Sequence, residues 1–233
     1  MKTLTKFSAL ATTSFLTVAG GNTLAADGNF TPTKFEVTYY EIGLTNSSDT
    51  TNRFKIFSGE QVVDIANSRQ TIMSQGVAPA RGTWDTVYVI TSNTVKVAGN
   101  NGSCYVKAGN STSSTSHTGV TTTNSASAGD ANITWSSFLG SSSSNPNIKT
   151  TINGSVTNLT IYTTNSSNPV SPTTVSADRF LFIGTGISVN TTGSPTGTIT
   201  MGHQIANSFR FRNSCTELGY NGLIYSLGAV EGL

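Results

Sequence analysis

Charge is scarce in this chain. Of its 233 residues, 13 are Lys or Arg and 11 are Asp or Glu, 10% together, and there are only two His, two Cys and two Trp. The stretch 109–176 is the poorest: it is mostly Ser, Thr, Asn and Gly with short apolar islands, and its charged residues are Asp130 and Lys149. So few ionisable side chains leave little material for proton transfer, metal capture or phosphate binding. His117 and His203 lie far apart, and neither has a second His, Cys or carboxylate at ligand spacing, so no metal centre is predicted. His117, inside the polar tract, reads as a solvated loop residue, and His203, between Gly202 and Gln204, as a structural or neutral one. No HExxH, EF-hand loop or GxSxG elbow is present despite the abundance of serine. A glycosidase needs two carboxylates facing one cleft. Glu36 and Glu41, five residues apart on a predicted strand, should point to opposite faces. Asp85, Asp130 and Asp178 sit in turn-like contexts, where an aspartate ordinarily serves the backbone. The expectation is a non-enzymatic protein with no catalytic residues, cofactor or metal.

The N-terminus carries Lys2 and Lys6, an apolar run over 7–20, and then Thr23-Leu24-Ala25-Ala26. This is the pattern of a secretory signal peptide cleaved after Ala25 or Ala26. The run is too short and too interrupted by Thr and Ser to span a bilayer, so no transmembrane helix is expected in the mature chain. No cysteine near the cleavage site offers a lipid anchor. Removing Lys2 and Lys6 leaves 11 basic and 11 acidic residues, a formally neutral chain. Its cations are scattered, with Arg210 and Arg212 as a tight pair, and that argues against a nucleic-acid partner, which needs a clustered basic face. Neutrality also weakens self-repulsion and favours association. In an exported protein Cys104 and Cys215 are predicted to form a disulfide, closing a loop of more than a hundred residues.

What the chain has in quantity is strand material. Residues 35–44 place Phe35, Val37 and Tyr39 on one face, 53–57 alternate as a second strand, and Val62-Val63 form a short apolar step ending at Asp64. One helical turn is expected within 66–75. Residues 83–91 and 94–98 flank Ser92-Asn93 and read as a hairpin. The tract 109–129 reads as a long flexible loop. Residues 133–139 and 148–162 supply three short strands, 179–183 a strand buried on both faces, and 209–212 a strand with both phenyl rings inward and both guanidinium groups outward. A last strand is predicted over 222–230. Short strands separated by Gly, Pro, Asn and Ser signals predict an antiparallel sandwich, as one domain over 27–233.

The order FEVTYYEIGL, VVDIA, APARGTWDTVYVIT and TVKVAG, with landmark residues Asp64, Gly82 and Trp84, resembles secreted immunoglobulin-like or transthyretin-like β-sandwich domains of unknown function from bacterial envelope proteins. The resemblance covers about 35–99. It implies an extracytoplasmic, non-enzymatic immunoglobulin-like sandwich and no catalytic residues.

The predicted role is a secreted, extracellular or cell-surface structural or adhesive subunit that self-associates through β-strand edges, since Thr- and Asn-rich strands lack the lysines that usually block edge pairing. Two alternatives stand beside it. A carbohydrate-binding module would stack a surface glycan on aromatics such as Trp84 and Trp135. A small outer-membrane barrel would use alternation such as Leu223, Tyr225, Leu227 and Ala229, although regular amphipathic strands with aromatic girdles are not evident.

Overall fold

Alternating apolar and hydroxyl-bearing residues hold the described part of this chain extended almost throughout. A computed structural model describes residues 27–67, 70–73, 81–112, 116–134, 143–152, 155–165, 178–191, 198–220 and 224–231. In chain order the strands are β1 (Gly28–Phe30), β2 (Lys34–Asn46), β3 (Asp49–Asp64), β4 (Gln70–Met73), β5 (Gly82–Ala98), β6 (Tyr105–Val106), β7 (Gly109–Ser111), β8 (His117–Thr118) and β9 (Thr121–Thr122). They continue with β10 (Ala131–Thr134), β11 (Ser143–Ile152), β12 (Ser155–Thr164), β13 (Arg179–Thr191), β14 (Thr198–Gln204), β15 (Phe209–Arg212), β16 (Glu217–Tyr220) and β17 (Ile224–Glu231). A 3-10 turn, Ser125–Ser127, is the one helical element among the described residues.

The fold is an all-β sandwich whose pairings are antiparallel except for β7 beside β10. The largest sheet runs β11-β12-β13-β5-β10-β7, and β2 also pairs with β5, carrying β3 on its far side. A second sheet runs β1-β15-β16-β8, a third β17-β14-β4, and β6 pairs with β9. The main core fills the space between the first two sheets. Phe35, Val37, Tyr39, Ile42 and Leu44 of β2 meet Phe30, Phe209, Phe211 and Leu218, all nearly or fully buried. Phe35 meets Phe209 edge-on at 5.3 Å between ring centres, and Phe30 stacks on Phe211 at 4.6 Å, geometries that add to the burial of large apolar surfaces. Within 209–212 the burial alternates as predicted, phenyl rings in and guanidinium groups out. Residues 180–182 are buried on both faces of β13, also as predicted. No helix among the described residues is long and apolar enough to cross a membrane.

Three local expectations are corrected. Ser92-Asn93 does not turn the chain: β5 is one continuous strand. The register with β2 passes from Val37↔Val95 to Tyr39↔Thr91, so β5 spends residues 92–94 against Thr38 alone, which is a bulge. A two-residue primed turn needs positive φ at its centre, and neither Ser92 nor Asn93 has it. Instead the Thr94 amide donates to Ser92 Oγ (3.0 Å) and the Asn93 amide to the Asp178 carbonyl (3.2 Å). At this bulge β5 exchanges neighbours, lying beside β13 before it and beside β10 after it.

The helical turn expected within 66–75 is replaced by β4 over its described part, because Gln70–Met73 pairs with β14. The tract 109–129 is likewise built into β7, β8, β9 and the 3-10 turn over its described residues. It is tied down by pairing with distant strands, which composition does not reveal. His117 is the clearest consequence. It stands directly opposite Leu218 across the β8–β16 ladder and so turns to the same, buried side. It is 1% exposed, with Nδ1 3.1 Å from Ser111 Oγ, and burial lowers its pKa to about 4.

Candidate functional site

The side of the large sheet turned away from the main core carries its own chemistry, and a bulge in β2 creates it. Apolar residues of β2 face the core at odd positions through Tyr39 and at even positions from Ile42 onward. The register with β5 slips between Tyr39 and Glu41, so Tyr40 and Glu41 both reach the second face. Glu36 and Glu41 therefore share a face rather than opposing one another, contrary to the sequence expectation. They still do not form an acid/base pair, because each is neutralised separately. Glu36 lies 3.2 Å from Lys34 and 3.1 Å from Lys96. Glu41 lies 2.8 Å from Lys55 and 3.6 Å from Arg53.

Glu41 also accepts a 2.7 Å hydrogen bond from the Tyr88 hydroxyl, and this contact depends on a glycine. Across β2 and β5, Gly43 stands opposite Tyr88. A Cβ at Gly43 would meet the Phe54 carbonyl and come within 2.5 Å of Tyr88 Oη and 2.7 Å of its Cζ. The ring thus crosses the strand where no side chain exists, and its hydroxyl ends on a buried carboxylate. Burial, and then Glu41 itself, raise the Tyr88 pKa far above the usual phenol range, so the phenol stays a donor. Such a hydrogen bond to a charged group is worth about 1.5–3 kcal/mol. Tyr88, Ile90 and Leu181 form a second small apolar cluster here, and the Arg179 guanidinium sits 3.9 Å above the Tyr40 ring.

Beside this cluster is a cavity of about 190 Å³ between Thr45, Thr86, Tyr88, Leu181 and Thr185. That is below the roughly 300–1,000 Å³ of ordinary ligand sites. With Glu41 held by three partners, the cluster works as a structural clamp joining β2, β3 and β5.

The residues selected from sequence fall in different places. Trp84 is 3% exposed, with its ring 6.3 Å from Phe54, so a ligand cannot stack on it without opening the core. Trp135 lies outside the described residues. Cys104 and Cys215 are joined, with Cα atoms 5.5 Å apart. Asp64 accepts from the Phe35 amide (2.9 Å), the Ala66 amide (3.1 Å) and Asn67 Nδ2 (2.7 Å), fixing the turn after β3. Asp85 accepts from the Ser47 amide and hydroxyl, both at 2.7 Å, and the Ser47 hydroxyl above all holds its carboxylate below the usual range. Asp130 pairs with Lys34 at 2.6 Å. His203 lies on β14 opposite Tyr225.

A second concave region lies at the start of the second sheet. Asp27, Asn29, Arg210, Arg212 and Asn213 surround a cleft of about 450 Å³, within the range of ligand sites. The turn that closes it, between β15 and β16, has three successive non-glycine residues in the left-handed region: Asn213 (φ 52°), Ser214 (φ 55°) and Cys215 (φ 64°). For Ser214 and Cys215 this costs about 1–2 kcal/mol each, whereas Asn213 enters the region more readily. The disulfide to Cys104 and the amide of Cys215 donating to Asp27 Oδ1 (3.4 Å) hold the turn in place. The arginine pair was visible in the sequence. The cleft was not, because Asp27 and Asn29 reach it from the opposite end of the chain. No family model, curated protein or solved structure matches the chain.

Proposed function

We propose that this protein is an exported structural or adhesive subunit of immunoglobulin-like type, acting at the cell surface or outside the cell and associating with its own copies through the edge of its large sheet. The observation that carries this reading is the position of β3. It pairs with β2, and no second strand is paired beside it among the described residues. Edges of this kind are usually guarded by lysines, prolines or bulges. Here Arg53 and Lys55 are drawn onto Glu41, away from guard duty. Val62, near the end of β3, is 55% exposed, the one large apolar side chain so exposed among the described residues. Three register slips interrupt the β2–β3 pairing, so the edge offers short straight runs around Val62 instead of one long template. Association is then weak per contact and grows with concentration. The disulfide supports the extracytoplasmic assignment, since such bonds persist in oxidising compartments.

Sedimentation velocity on residues 27–233 across a concentration series, with negative-stain electron microscopy at the high end, tests the reading. Concentration-dependent assemblies that Val62→Lys suppresses are expected. A monomer at every concentration, or assemblies indifferent to Val62→Lys, would refute it.

A further inference from the structure

We propose that the cleft between β1 and the β15–β16 turn binds the carboxylate of an acidic sugar, a uronic-acid residue of a polysaccharide, with Arg210 and Arg212 as its anion-recognising pair. The proposal gives the adhesive reading a ligand class but does not rest on self-association.

Four observations converge. First, the two arginines alternate with buried phenylalanines on β15, so both guanidinium groups leave the sheet on the same outward side. Second, neither takes part in an ion pair among the described residues, and each Nε is buried without a hydrogen-bond acceptor there. Glu217, directly across the ladder from Arg212, does not supply one. The fold has buried the Nε atoms of two otherwise half-buried arginines and left that donor capacity unused, and an arginine fork matches a carboxylate in geometry and charge.

Third, the site is preorganised. A Cβ at Gly219, on the β16 side of β15, would lie 2.8 Å from Arg212 Nε and 3.0 Å from its Cζ, so Arg212 is held in place over the sheet where only glycine leaves room, while the cleft opens on the β1 side. The neighbouring turn is kept in its disfavoured left-handed conformation by a disulfide. Strain of this sort collects where a binding site must be held rigid. Fourth, the other groups in the cleft point to a hydroxylated monoanion. Asp27 is a carboxylate in the same space. It opposes a dianionic phosphate more strongly than a singly charged carboxylate. With Asn213 it also brings to the cleft side-chain oxygens of the kind a sugar hydroxyl donates to.

The test is a titration of 15N-labelled residues 27–233 with trigalacturonate at low ionic strength. Saturable shifts confined to residues 27–29 and 210–213 are expected, with no such response to maltotriose. Arg210→Gln should weaken binding about tenfold or more. Arg212→Lys, which keeps the charge and the contact over Gly219 but loses the fork, should weaken it by at least a few-fold. Val62→Lys should leave the titration unchanged, so failure of assembly and failure of this site are separately visible. The inference is overturned if no saturable shift occurs up to roughly 10 mM ligand. It is also overturned if maltotriose, inorganic phosphate or an oligoglutamate peptide binds the same amides as tightly, or if Arg210→Gln, folded by its amide spectrum, binds as the parent does.

Discussion

Acid should weaken this protein through His117, beginning near neutral pH. The imidazole is 1% exposed, stands on the core side of β8 opposite Leu218, and burial lowers its pKa from the ordinary imidazole value of 6.5 to about 4. Above pH 6.5 it is neutral in folded and unfolded chains alike, and its full contribution is present. Between pH 6.5 and 4 the unfolded chain binds a proton that the folded chain refuses, so stability falls as pH falls. At about 1.4 kcal/mol per pH unit over that window, the loss by pH 4 is roughly 3 kcal/mol. That is a large share of a typical 5–15 kcal/mol. Asp85, whose carboxylate is held below its usual range, adds acid sensitivity only below this window. The assay is urea unfolding at pH 7.5, 6, 5 and 4.5 for the parent and His117→Asn, whose side-chain amide can replace the Nδ1 contact to Ser111. The variant should be less stable at pH 7.5 and then lose markedly less than the parent on acidification. Parallel pH profiles for the two proteins would refute the reasoning.

Reducing or replacing the Cys104–Cys215 bridge, which spans 111 residues, should cost roughly 4–5 kcal/mol by the chain-entropy argument, read as a lower urea midpoint in Cys104→Ser/Cys215→Ser. Gly43→Ala should cost about 1–3 kcal/mol by forcing the Tyr88 ring off β2, and Tyr88→Phe should cost a similar amount by removing one donor from buried Glu41. If both leave the thermal midpoint unchanged, the Tyr88–Glu41 clamp is not a stabilising feature. Ser214→Gly, at an exposed position with φ 55°, should raise stability by about 1 kcal/mol because glycine enters the left-handed region freely. A destabilised Ser214→Gly variant would contradict the backbone account of that turn.

The parts of this architecture that are legible in sequence are those where one strand's own alternation decides its burial. Phe35, Val37 and Tyr39, the apolar run 180–182, and the Phe-Arg-Phe-Arg of β15 declare their faces without reference to anything else. The misread parts depend on partners. Ser92-Asn93 looks like a turn because it is polar and short, yet β2 lies beside β5 both before and after it, from Thr86 to Ala98, and the pair becomes a bulge. The slip at Tyr40 moves Glu41 onto the face shared with Glu36, since a one-residue shift exchanges every later side chain between faces. Residues 109–129 carry hydroxyls where a strand usually shows alternation, and His117 is turned inward by pairing with β16 opposite Leu218, far along the chain. The arginine pair of the cleft was legible for the same reason as β15 itself, whereas its other wall, at Asp27 and Asn29, was set by long-range pairing between β1 and β15.

The central claim, association through the edge at β3, is tested most directly by amide hydrogen exchange of residues 27–233 at low and high protein concentration. Selective slowing in the β3 segment around Val62 as assemblies form, abolished in Val62→Lys, is the predicted result. Assemblies that form while exchange in β3 stays unchanged, with protection arising elsewhere, would contradict it.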